Sequence, residues 1–165
     1  MRQFRTQLNR AGLSALGGWL IAFVHGDYDK TYDIFQLHLH VLVVGEKVHA
    51  LERLRELQIY KPRPEVKRPI LRKRLKDRAR QISYYLAQDF WPSKPTVLVR
   101  DVPVRVRERK RIPEPRHAEV LMWLDRQRFA DLVWLHGCRI TGKRLVWQVR
   151  TARKTPGQLL SKTNR

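Results

Sequence analysis

Two histidines stand two residues apart in the segment Gln36-Leu37-His38-Leu39-His40-Val41-Leu42. The surrounding run, Ile34 to Val44, is rich in β-branched and aromatic residues and reads as a strand. Side chains two apart on a strand point to the same face, so the two imidazoles lie side by side while Leu37, Leu39 and Val41 face the other way. Neutral imidazole is a metal ligand, and such a pair suits an ion if a neighbouring element supplies a third donor. His25 and Asp27 share strand parity just ahead of a turn and are candidates for that position, Asp27 being the better match to a hard cation. Imidazoles with oxygen donors would take magnesium or manganese and leave positions open to phosphate oxygens. The lone cysteine, Cys138, excludes a multi-cysteine zinc site. The competing reading is a histidine pair on a partly exposed sheet, with Asp27 bonding its own backbone in a turn.

A second group of reactive side chains lies in Tyr84-Tyr85-Leu86-Ala87-Gln88. Leu75 to Phe90 has a helical pattern, with Ile82, Tyr85, Leu86 and Phe90 on the packed side, and Gln88 follows Tyr84 by four residues and Tyr85 by three. A tyrosine and an amide can therefore address one site. Phenol, with a pKa of about 10, is a poor nucleophile at neutral pH, so attack on phosphorus requires a metal and nearby cations to polarise the phosphate. As core or rim aromatics, Tyr84 and Tyr85 would serve packing instead.

Cations are abundant. Lys and Arg number 35 against 15 Asp and Glu in 165 residues, a formal net charge of +20, and the pI is near 11.2. A polyanion is the expected partner. A hydrophobic content of 42% with five Trp separates the chain from disordered basic tails, which lack the apolar side chains to offset ordering entropy. Arg63, Lys67, Arg68, Arg72, Lys73 and Arg74 are candidates for contacts with DNA phosphates, and Trp91 for stacking on an unpaired base. Binding of this kind weakens steeply with salt.

The elements that must position these groups follow from periodicity and breakers. Phe4 to Leu16 reads as an amphipathic helix ended by Gly17-Gly18, and Trp19 to Val24 and Ile34 to Val44 as strands of one hairpin. Glu46 to Leu57 repeats apolar residues at helical spacing. A Pro-punctuated link from Lys61 to Gln81 carries ten basic and two acidic residues, and Pro92 and Pro95 stop the tyrosine helix. Val97 to Val106 reads as an edge strand or extended connector. His117 to Leu124 and Phe129 to His136 read as two short helices, weakly like a helix-turn-helix, with Gly137 as the stop. Gln148 to Arg165 has five basic and no acidic residues, a tail drawn to phosphate. Residues 1–95 are thus expected as the catalytic unit, 96–147 as a connector and small helical C-terminal extension, and 148–165 as a flexible basic tail. The apolar stretch Trp19 to Val24 is too short to cross a bilayer and no signal-peptide layout precedes it, so a cytoplasmic protein without a membrane partner is expected.

The histidine strand resembles the His-hydrophobic-His motif of the HUH endonuclease superfamily. The tyrosine helix downstream looks like that of plasmid-type rolling-circle replication initiators, and the resemblance covers roughly residues 18 to 92. It implies an α+β fold whose antiparallel sheet has a ferredoxin- or RRM-like HUH arrangement. It also implies Mg2+ or Mn2+ on His38 and His40, with Asp27 or Gln88 as third ligand, and Tyr85 or Tyr84 as nucleophile. The implied reaction is nicking and rejoining of single-stranded or origin DNA through a 5′-phosphotyrosine link, in replication initiation. The chain departs from the pattern in two places: Trp19 to Val24 lacks the carboxylate that related initiators often carry there, and Gln88 stands where many carry a lysine. The Tyr84 to Gln88 spacing also resembles that of single-tyrosine transposases. A third reading is a non-catalytic DNA-binding protein using the helices around His117 to His136 and the tail.

Overall fold

The computed structural model describes residues 1–63, 66, 68–76, 78–86, 91–106, 110–142 and 144–147. They form a mixed α+β fold around one long strand. That strand, β1 (Trp19–Asp29), is buried along nearly its whole length. β2 (Ile34–Val44) pairs antiparallel with it over all eleven residues, from Trp19 opposite Val44 to Asp29 opposite Ile34. The turn between them closes on Asp33, whose φ of 51° is a left-handed conformation that aspartate tolerates better than most residues. The Asp29 carboxylate accepts the Thr31 N–H at 3.0 Å, a local bond typical of aspartate in turns.

Period-two alternation gives β1 two different faces. Leu20 and Ala22 join Phe4 and Leu8 of α1 (Arg2–Arg10), Leu13, and Ala50 and Leu54 from the region of α2 (Val48–Arg53) in one core. α1 stops earlier than its sequence pattern predicts: Gly12 adopts φ 82°, and residues 13–15 form a separate 3₁₀ turn. The opposite face carries Ile21 and Phe23, packed with Leu42 and with Ile82 of α3 (Arg78–Leu86). His25 and Asp27 continue this second face along β1.

The other edge of β1 is shared. β3 (Pro92–Ser93) runs parallel to it at Tyr28 and pairs in turn with the strand Lys110–Arg111, while the strand Val133–His136 pairs antiparallel with Leu20 to Phe23. In chain order these two are β6 and β7, because β4 (Thr96–Val99) and β5 (Val102–Arg105) intervene as a two-stranded hairpin. The expected helix over Phe129 to His136 is corrected here: helix covers Phe129–Leu132 alone, and the chain then extends into β7. The apolar run Val133-Trp134-Leu135 has no periodicity of its own, and the open edge of β1 decides its conformation. The expected helix over His117 to Leu124 is present as α4 (Arg116–Asp125). The final hairpin is β8 (Cys138–Thr141) with β9 (Arg144–Trp147), and the expected tail at 148–165 lies outside the described residues. Among the described residues no helix is long and apolar enough to cross a membrane.

Candidate metal centre

The register of β1 against β2 assembles the site. His25 lies opposite His38, and Phe23 opposite His40, so a single sheet face carries three imidazoles. Each offers a ring nitrogen, and the three nitrogens lie within 4.8 Å of one another. The rings are 4.8 to 5.2 Å apart between centroids. His25 is fully buried and forms the floor, while His38 and His40 are half-buried at the rim. The two rim Nε2 atoms are 2.9 Å apart, so one ring donates its N–H to the other. A longer contact of 3.4 Å from His38 Nδ1 to the Gln36 carbonyl favours the tautomer with the proton on Nδ1, so Nε2 carries the lone pair that accepts from His40 and that an ion would take in its place.

Burial favours the neutral form of His38 and His40. Burial pushes the pKa of His40 down to about 3, and the neighbouring His38 and His25 push in the same direction. Burial also lowers His38; the Asp27 charge opposes this, and Lys94 and Arg105 add to the lowering. Neutral imidazole is the ligating form, so the lone pairs are available well into the acid range. Three convergent ring nitrogens fit a single metal ion.

No protein-family model, curated protein or solved structure matches the chain.

Of the expected ligands, His38, His40 and His25 come together. Asp27 stands two residues beyond His25 on the same face, but its carboxylate is taken: Oδ1 accepts Lys94 Nζ at 2.7 Å and Oδ2 accepts Arg105 Nη1 at 3.2 Å. Gln88 lies outside the described residues, as does Lys67. For Tyr84 and Tyr85 the description covers the helical backbone of α3 and not the side chains. Their helix packs through Ile82 on Ile21, Phe23 and Leu42, the same sheet face that carries the histidines.

Arg63, Arg68, Arg72, Lys73 and Arg74 are exposed along the link between α2 and α3, with Arg72 3.6 Å from Glu52. Trp91 requires a correction. It is 5% exposed and packed among Tyr28, Ile112 and Val120, so its indole is not available to stack on a nucleic-acid base. Lys94 and Arg105 are the site residues that the sequence pattern did not single out; the available signal was a lysine between Pro92 and Pro95 and an arginine within the predicted extended segment Val97 to Val106.

Proposed function

We propose that the protein is a metal-dependent HUH-type endonuclease that nicks and rejoins single-stranded DNA through a phosphotyrosine intermediate, acting in replication initiation. The carrying observation is the shared face: the His-Leu-His strand, a third histidine directly across the ladder, and a helix bearing adjacent tyrosines, all on one side of β1. The long antiparallel β1–β2 pair with helices on both faces is compatible with a ferredoxin-like HUH sheet.

In this reading His25, His38 and His40 hold the ion. Three nitrogen donors favour manganese over magnesium among the hard divalent ions. The bound metal would polarise a scissile phosphate and stabilise its developing charge. Tyr85 or Tyr84 supplies the nucleophile: its oxygen forms the bond to phosphorus, the bond to the 3′ oxygen breaks, and a free 3′ hydroxyl remains for the reverse attack that rejoins the strand. The exposed cations of the link hold the strand by its phosphates.

The test is a denaturing gel of the protein incubated with labelled single-stranded DNA and Mn2+ or Mg2+. A protein-DNA adduct that persists in denaturant is expected, and it disappears in the Tyr84→Phe, Tyr85→Phe double variant. An adduct undiminished in that variant rejects the tyrosine mechanism.

A further inference from the structure

Two cations meet one carboxylate beside the histidines. Lys94 follows β3 and Arg105 ends β5, and they are brought to Asp27 from 67 and 78 residues away in sequence. Asp27 is 5% exposed at its side chain, against 19% for Lys94 and 33% for Arg105. The anion is therefore sealed beneath two cations that reach solvent. Among the described residues, Asp27 is the one carboxylate paired with either of them. The next carboxylate along β1, Asp29, is fully buried and accepts bonds from Thr31 and Thr96 instead.

The cation pair has a direction. Asp27 stands two residues from His25 and opposite Gln36, which is two residues from His38. One such step along a strand is about 7 Å, so the cations flank the histidine cluster on the same face. An ammonium and a guanidinium side by side, each partly open to solvent and both held on one buried carboxylate, suit a phosphate, whose oxygens accept from both.

We propose that Lys94 and Arg105 form a phosphate subsite beside the metal centre, holding a backbone phosphodiester of the nucleic-acid strand as it passes the histidines. The subsite rests on the nicking reading for its ligand. Asp27 orients the two cations and is not a metal ligand.

The experiment uses the full chain loaded with Mn2+ and a fluorescein-labelled, mixed-sequence single-stranded oligonucleotide. Anisotropy is followed over a series of KCl concentrations in the Tyr84→Phe, Tyr85→Phe background, which prevents turnover. Each phosphate contact to a single strand contributes about 0.7 to the slope of log affinity against log salt. Lys94→Gln and Arg105→Gln are each expected to lower the slope by about that amount while Mn2+ affinity, measured by calorimetry, stays within about twofold. Lys94→Arg and Arg105→Lys keep the charge and are expected to keep the parent slope. Slopes unchanged in both glutamine variants overturn the subsite while leaving nicking intact. A slope that also falls in the charge-retaining variants overturns it as well, because the effect is then structural. A Mn2+-loaded parent that binds no single strand at any salt concentration overturns the nicking reading and the subsite together.

Discussion

His25 and His38 are direct partners across the β1–β2 ladder, with ring centroids 5.2 Å apart, one fully buried and the other at the rim. Because register fixes this pairing, the third nitrogen of the site comes from a strand that cannot slip by one residue without turning its core to solvent. His25→Ala is expected to weaken Mn2+ binding at least tenfold in calorimetry, with circular dichroism reporting the fold. Equal affinity in wild type and variant would place the third donor elsewhere, with Gln88 the next candidate.

How much of this was legible in the sequence depended on the range of the interaction. The parity of His38 with His40, and of His25 with Asp27, is a local property of extended chain; that the two pairs share one face follows from the β1–β2 register. The choice between His25 and Asp27 was not local. It turns on Lys94 and Arg105, which arrive from distant segments and pair with the two Asp27 carboxylate oxygens, while His25 joins His38 and His40 in one cluster. Trp91 looked available for stacking because nothing nearby in sequence signals the space beside Gly26 that its ring fills. Val133 to His136 was read as helix because a short apolar run is ambiguous until a neighbouring edge accepts its backbone bonds.

Acid should unfold the metal-free protein earlier than its other groups require. The folded-state pKa of His40 is about 3 and that of His38 is also lowered, whereas imidazole in the unfolded chain titrates near ~6.5. The unfolded state therefore binds more protons below that pH, and stability falls as pH drops from ~6.5 toward 3, by at most ~1.4 kcal/mol per pH unit for each histidine. Urea midpoints measured between neutral pH and the onset of acid unfolding check this. His40→Gln should flatten the dependence, and an unchanged profile in that variant would assign the acid sensitivity to other groups.

Trp91 and Gly26 make a paired prediction. A Cβ at position 26 would lie 2.4 Å from the Trp91 ring, so Gly26→Ala forces the indole or the strand to move. The expected cost is ~1–3 kcal/mol, the range for an overpacked core. Trp91→Ala removes a buried aromatic, at ~3–5 kcal/mol. If Trp91 were a stacking residue instead, its removal would leave the urea midpoint unchanged and lower only affinity for single strands.

Asp29 ties the β1–β2 turn to β4 and so helps bring Arg105 within reach of Asp27. Its Oδ1 accepts the backbone N–H groups of Thr31 and Thr96 at 3.0 and 3.2 Å, and its Oδ2 accepts the Thr96 hydroxyl at 2.5 Å. Burial alone would push the carboxyl pKa up; the bonds from Thr96 and Thr31 outweigh it and hold the pKa below the usual value. Asp29→Ala leaves three donors without their acceptor, each costing ~1–3 kcal/mol where it is buried and less where water can reach it. Asp29→Asn keeps one acceptor oxygen for the two N–H groups and offers its amide to the Thr96 hydroxyl, which can rotate to accept. The asparagine variant should therefore be the more stable by at least ~1 kcal/mol in urea unfolding. Equal destabilisation by the two substitutions would mean that the negative charge, and not the set of hydrogen bonds, holds the turn against β4.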